Sequence, residues 1–106
     1  MKIDIGNKSV VSVDFSNFET AWKINDAILV IQYLKSKNTI ILGGDILTDQ
    51  LEYNYDSWYY NKEVNQTFHY NVEYSTQLAS RYISDYIRAN GNAFYVIFVT
   101  EPIITN

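Results

Sequence analysis

The chain has 106 residues, a formal net charge of −4 and no cysteine. Its length predicts one domain over residues 1–106, and its apolar content of 47% excludes a disordered chain. The lack of cysteine excludes disulfide bonds, thiolate catalysis and cysteine-ligated zinc. The negative charge argues against a nucleic-acid partner, whose phosphates require a basic surface, and is compatible with a basic protein partner.

The N-terminal sequence and the hydropathy pattern predict a cytoplasmic protein. Residues Met1–Gly6 contain no apolar segment of the kind that a signal peptide requires. No apolar run approaches the roughly 20 residues that a membrane-spanning helix needs. We therefore expect no membrane partner.

The first quarter of the chain predicts a strand followed by a helix. Ser9–Phe15 alternates apolar and polar residues, which is typical of a half-buried strand. Ser16 and Glu19 have the spacing of a capping box, which predicts an early helical turn. Asn25 is the predicted N-cap of the main first helix. Its apolar face is marked by residues at helical spacing: Ala27, Ile28, Ile31 and Leu34.

Two strands are predicted next, the first of which is interrupted by glycines. Thr39–Leu42 is continuously apolar and rich in β-branched residues, which favours a buried strand. Gly43-Gly44 interrupts this strand, and Ile46-Leu47 continues it after a bulge. Leu51–Tyr60 is rich in aromatic residues and predicts another strand, with a break near Asp56.

The last third of the chain predicts a loop, a long helix and a final strand. Asn61–Tyr70 is polar and predicts the loop, and Asn71 is the predicted cap of the helix. Gly91 is a strong stop signal for that helix, and Pro102 ends the apolar strand Phe94–Val99. One face of the helix carries Val72, Ser75, Leu78, Ala79, Tyr82, Ile83 and Tyr86.

The resulting order of elements is β-α-β-β-α-β, which predicts the α+β class. Two helices on one face of a mostly antiparallel sheet would bury the apolar sides of both layers. A ferredoxin-like topology has this order of elements, so the sequence allows that arrangement.

The segment Asn38–Asn61 has the most informative local composition in the chain. It holds four carboxylates and a cluster of aromatic residues but neither lysine nor arginine. Aromatic side chains are enriched in protein interfaces, and unpaired carboxylates suit a partner that offers basic residues. We therefore predict a partner-binding surface in this segment, formed by Asp45, Asp49, Glu52, Tyr53, Tyr55, Asp56, Trp58 and Tyr60.

Catalytic, metal-binding and cofactor-binding sites are not predicted. Gly43-Gly44 lacks the further glycines and the lysine of a phosphate loop, and a bulge that admits another backbone explains it better. The single histidine, His69, is expected on the surface, because a zinc site needs more ligands than one. The spacing of Asp45, Asp49 and Glu52 matches no calcium or magnesium loop. No nucleophile, base and orienting group occur in a recognisable pattern, so no enzyme activity is expected.

Three stretches of the sequence together resemble the Immunity protein 40 family of bacterial polymorphic-toxin systems. They are NDAILVIQYLKSKNTIILGGDIL, YNYDSWYY and STQLASRYISDYI, and the resemblance spans roughly residues 22–100. The pattern that carries it is a strand ending in Gly-Gly-Asp (43–45), then Asp-Ser-Trp-Tyr (56–59), a helix led by Ser75, and a closing strand. The resemblance implies a small cytoplasmic antidote that binds and neutralises a cognate toxin domain and has no activity of its own.

A second interpretation of the same residues remains open at the level of sequence. Asp45, Asp56 and Trp58 could surround a polar pocket in a small-ligand-binding or enzymatic α/β domain. A tryptophan beside carboxylates would suit a carbohydrate. A pocket in which these three side chains converge would favour this interpretation.

Overall fold

The computed structural model describes residues 1–16 and 19–104, which form seven strands and two α-helices. The helices are α1 (Ala27–Ser36) and α2 (Phe68–Asn90), and a 3₁₀ turn over Ile24–Asp26 leads into α1. The predicted α+β class is confirmed. The strands are β1 (Lys2–Ile5), β2 (Lys8–Val11), β3 (Val13–Ser16), β4 (Glu19–Lys23), β5 (Thr39–Thr48), β6 (Tyr53–Tyr59) and β7 (Phe94–Pro102).

The main sheet has five antiparallel strands in the order β3-β4-β7-β5-β6, and β1 pairs with β2 in a separate hairpin. Helix α1 joins β4 to β5 with β7 between them, and α2 joins β6 to β7 with β5 between them. The predicted order β-α-β-β-α-β therefore describes the part from β4 to β7.

The ferredoxin-like topology that the element order allows is not the one adopted. In that arrangement the first strands of the two β-α-β units form the central pair, whereas here the second strands, β5 and β7, do so. These are the two longest strands, and they pair from Thr39↔Pro102 to Thr48↔Phe94. Long apolar strands are most stable in the centre of a sheet, and β6, whose side chains are mostly exposed, suits an edge.

Both helices pack on the same face of the sheet, as predicted. Helix α1 contributes Ala27 and Ile31 to a core that it shares with α2 and with the central strands. The small residue Ala79 and the fully buried Ile83 bring α2 close to the sheet. The other buried members of this core are Ile24, Ile41, Ile46, Trp58, Tyr86 and Val96.

The opposite face of the sheet, which we call the open face, is covered over only part of its area. Ala21, Leu47 and Ile97 are buried there under half-buried side chains that include Val13 and Phe15 of β3. At the end of the open face that carries Tyr59 and Val99, none of the described residues provides such cover, and these side chains are 79% and 49% exposed. This uncovered end contributes to the site described below.

The N-terminal elements differ from the prediction. The single strand expected over Ser9–Phe15 is divided between β2 and β3 at the buried Ser12, whose backbone N–H donates to the Met1 carbonyl (2.8 Å). The helical turn expected from Ser16 and Glu19 is wrong for the residues described, because Glu19–Lys23 is strand β4 and pairs with β3. Residues 17–18, within the same motif, lie outside the described residues. Strand pairing outweighed the local capping pattern.

Both predicted helix caps are also wrong. The N-cap of α1 is Asp26 rather than Asn25, and no side chain caps it by hydrogen bonding. Helix α2 begins one turn earlier than expected, with Thr67 Oγ1 accepting a hydrogen bond from the Tyr70 N–H at 3.0 Å. Asn71 is instead a buried residue inside α2. The predicted stop at Gly91 is confirmed, with a backbone φ of 86° that glycine adopts at little cost.

Helix α2 is 23 residues long but amphipathic. Within the described parts of the chain, no helix is both long and apolar enough to cross a bilayer.

Candidate partner-binding site

Strand β6 forms one edge of the sheet and is distorted in its middle. Its pairing with β5 runs from Leu47↔Tyr53 directly to Asp45↔Ser57, so one residue of β5 opposes three residues of β6. We call these three residues, 54–56, the Tyr55 bulge. Tyr55 has a φ of +67° and is 95% exposed, which is an uncommon backbone conformation for a bulky residue. Bulges of this kind re-aim side chains at edges and functional sites.

The residues on each side of Tyr55 are held by one hydroxyl group of α2. The Asn54 side-chain amide donates to the Tyr86 hydroxyl oxygen at 2.8 Å. That hydroxyl donates to the Asp56 carboxylate at 2.7 Å. The Asp56 backbone N–H in turn donates to the Asn54 side-chain oxygen at 3.3 Å. The hydrogen bonds therefore fix the backbone from which the Tyr55 side chain projects into solvent.

The Tyr86 hydroxyl remains protonated across the physiological range. Burial raises the pKa of Tyr86 to about 12, and the hydrogen bond to the Asp56 carboxylate acts in the same direction. A protonated hydroxyl can donate to Asp56 while it accepts from Asn54, which is what the bulge requires.

Trp58 lies in the core and not on the surface. Its side chain is only 5% exposed, and its ring stacks on Tyr82 with centroids 4.9 Å apart. Phe98 meets the same ring edge-on at 6.0 Å. Trp58 therefore anchors β6 beneath α2, and its side chain is not available as a partner contact.

The two glycines of β5 make room for Trp58. A Cβ at Gly44 would collide with the indole ring of Trp58 and would lie 2.5 Å from the Ile97 carbonyl oxygen, so a side chain does not fit. Gly43 has a φ of +154°, and a Cβ there would collide with the Trp58 carbonyl oxygen. The prediction that these glycines let another backbone approach at a bulge is confirmed.

The carboxylate of Asp45 lies on the open face, because its neighbour Ile46 points into the helix-side core. Asp45 is half-buried and, within the described residues, forms neither a hydrogen bond nor an ion pair with another side chain. Tyr53 is close enough for this charge to raise its pKa, after the larger effect of burial and the effect of Glu19. Asp45 and Tyr53 thus lie close together on one face.

The remaining predicted site residues are dispersed. Asp49 and Glu52 are exposed in the turn between β5 and β6, where Thr48 Oγ1 accepts from the Glu52 N–H at 3.2 Å. Asp49 borders a groove that also contains Lys23, so the acidic segment has a basic neighbour in space. Tyr60 turns towards α2, where its hydroxyl donates to Asn71 Oδ1 at 2.7 Å.

Two exposed residues of the open face were not among the predicted site residues. Tyr59 and Val99 flank Gly43 in register, and together with Asp45 they border a shallow cavity of about 260 Å³. Tyr59 follows the buried Trp58 in β6, and because neighbouring strand residues point to opposite faces, Tyr59 lies on the open face. No sequence signal pairs Val99 with Tyr59, because β7 is remote from β6 in the chain.

The model of one protein family matches this sequence: Immunity protein 40, over residues 9–100. The chain belongs to the Immunity protein 40 family. The match begins earlier than the resemblance read from the sequence and includes most of β2 and the main sheet up to Thr100. No curated protein and no solved structure matches the chain.

In this Immunity protein 40 member, the motif residues that carry the resemblance in the sequence are mostly structural in role. Gly43, Gly44 and Trp58 form one packing unit, and Asp56 is a partner of Tyr86. Ser75 is fully buried and accepts a hydrogen bond from the Ile41 N–H at 3.0 Å, which ties α2 to β5. The motif residues therefore determine how β6 and α2 pack against β5.

The three side chains of the alternative ligand site do not converge. Asp45 and Trp58 border the same cavity, but Asp56 is turned to Tyr86. The indole face that a sugar would stack on is occupied by Tyr82. His69 is exposed in the first turn of α2, and the described residues contain no group of three or more metal-ligating side chains.

Proposed function

We propose that this protein is an immunity protein that binds a cognate toxin of a bacterial polymorphic-toxin system and neutralises it. Membership of the Immunity protein 40 family supports this proposal. The structural observation that carries it is Tyr55, a fully exposed aromatic side chain on a strained backbone that Tyr86 holds in place.

Tyr55 has the properties of an interface anchor. Tyrosine is among the residues that contribute most to binding energy in protein interfaces. The backbone on each side of it is already fixed through Asn54 and Asp56, so binding orders few additional degrees of freedom. In a protein that binds nothing, an exposed tyrosine with a left-handed backbone has a cost and no evident compensation.

The charge around Tyr55 favours a basic toxin surface. Between residues 38 and 61 the chain has four carboxylates and no basic residue, although Lys23 approaches Asp49 in space. We propose a contact surface that keeps the solvent-accessible members of the predicted set and adds Tyr59. It consists of Asp45, Asp49, Glu52, Tyr53, Tyr55, Asp56 and Tyr59.

The proposed mechanism is binding alone, without catalysis by this chain, and it operates in the cytoplasm, where the toxin would act. A toxin domain held on the β6 edge is either covered at its active site or held in an inactive arrangement. Both cases require a stable complex, so affinity and protection should change together.

The test uses the toxin domain encoded beside this gene. The full chain with Tyr55→Ala is compared with the parent in capture of that domain and in protection of cells that express it. We expect Tyr55→Ala to weaken binding by about 2 kcal/mol or more, mainly through faster dissociation. Tyr74→Ala is the matched control, because Tyr74 is also an exposed tyrosine but lies on α2.

Two results would contradict the proposal. If the parent chain neither captures the neighbouring toxin domain nor protects cells against it, the proposed neutralising function is contradicted. If Tyr55→Ala and Tyr74→Ala weaken binding equally while their melting temperatures are unchanged, Tyr55 is not the interface anchor.

A further inference from the structure

The cavity beside Gly43 has walls of mixed chemistry. Its apolar sides come from Leu42, Val99 and the ring of Tyr59, and its charged side comes from Asp45. Gly43 lies between Tyr59 and Val99 in the sheet register and contributes no side chain, so the space between them stays open. At about 260 Å³ the cavity has room for one long side chain but not for a folded element.

Among the described residues, the only charged side chain that lines this cavity is negative. None of its lining residues is basic, and Asp45 has no cationic partner within the part of the chain that the structure describes. The nearby carboxylate of Glu101, by contrast, is paired with Lys62 at 2.8 Å. A half-buried carboxylate beside apolar side chains in a cavity is best complemented by a cation that enters with an aliphatic stem.

We propose that this cavity receives an arginine or lysine side chain of the bound toxin, an inference that rests on the proposed function. The aliphatic stem lies against Val99 and the Tyr59 ring, and the cationic group reaches the Asp45 carboxylate. Tyr59 can add a cation–π contact, since it is largely exposed. The site selects for charge and length together, because a short cation cannot reach Asp45 while its stem contacts Val99 and Tyr59.

The cavity can be tested without the toxin. The probe is a capped Gly-Arg-Gly peptide, titrated into the isotope-labelled full chain and followed by the backbone amide signals of Gly43, Gly44 and Val99. A capped peptide with citrulline in place of arginine has nearly the same shape but no charge. We expect the arginine peptide to shift these signals and to bind about tenfold more tightly than the citrulline peptide.

Variants of two aspartates separate a local effect from a general charge effect. Asp45→Asn should reduce the affinity for the arginine peptide to that of the citrulline peptide. Asp14→Asn removes the same charge from an exposed position on β3 and should leave the affinity unchanged. Val99→Lys is a second variant that places a cation at the cavity, and it should abolish the peptide-induced shifts even if Asp45→Asn disturbs the strand.

The outcomes for this site and for the proposed function can be told apart. If the two peptides bind equally, or if Asp45→Asn binds the toxin as tightly as the parent, the cavity proposal is overturned while neutralisation can still hold. If the arginine peptide binds through Asp45 but the neighbouring toxin is not captured, the proposed function fails and the preference of the cavity for a cation is supported.

Discussion

The indole of Trp58 lies directly over Gly44, at a distance that leaves no room for a Cβ atom. These residues are paired across β5 and β6. The absence of a side chain at Gly44 leaves room for the ring, which stacks on Tyr82, so this pair is one of the contacts that position the edge strand.

Gly44→Ala should therefore destabilise the protein. The added methyl group would meet both the Trp58 ring and the backbone carbonyl of Ile97, and only the ring can move. We expect a loss of about 1–3 kcal/mol in the free energy of unfolding, measured by urea denaturation. A variant as stable as the parent would mean that Trp58 does not occupy this position in solution.

The helix-side core gives a graded prediction along one face of α2. Ile83 is fully buried, and Ile83→Ala should cost about 2–5 kcal/mol. Leu78 lies on the same face but is only half-buried, so Leu78→Ala should cost less, about 1–2 kcal/mol. Thermal or urea unfolding of both variants tests this order, and a larger cost at Leu78 would contradict the packing of α2.

The hydrogen bonds of Tyr86 predict a dependence of stability on alkaline pH. The pKa of Tyr86 is raised to about 12 in the folded protein, against about 10 when unfolded. Between these values the unfolded state loses its proton first, so this contribution to stability is complete below pH 10 and is lost as the pH rises towards 12.

Tyr86→Phe is the variant that isolates this effect. At pH 8 it should cost about 1–2 kcal/mol, because Asn54 and Asp56 lose their shared partner. At pH 11 the gap between parent and variant should be smaller, since the parent has by then lost part of the contribution. Urea unfolding at the two pH values measures both gaps, and equal gaps would be inconsistent with a raised pKa.

The acidic turn predicts a salt-dependent association rate with the toxin. Reversing Asp49 and Glu52 to lysine should slow association about three- to tenfold at low salt, and the difference should shrink as salt is added. Asp4→Lys with Asp85→Lys gives the same change in net charge at exposed positions outside the turn. Stopped-flow kinetics should show a smaller effect for this control, and an equal effect would indicate steering by net charge alone.

The fold class could be predicted from the sequence because its signals are local. The 3.6-residue period of α2, the apolar runs of β5 and β7, and the stop at Gly91 each depend on residues that are neighbours in the chain. The caps and the N-terminal strands were missed for the opposite reason. Pairing of β4 with β7 is decided by residues far away in sequence. Asn71 is buried by hydrogen bonds with Tyr60 and Glu63, which lie outside the helix pattern that predicted the cap.

The composition of the acidic and aromatic segment, and its lack of basic residues, are properties of the sequence by itself. Only the tertiary structure divided the segment, burying Trp58 under Tyr82, turning Tyr60 to Asn71 and leaving Tyr55 exposed. The physical reason is that strand register and bulges decide on which face of the sheet a side chain lies, whatever its residue type. That register is set by pairing with β5 and by the hydroxyl of Tyr86, which lies 30 residues from Asp56 in the chain.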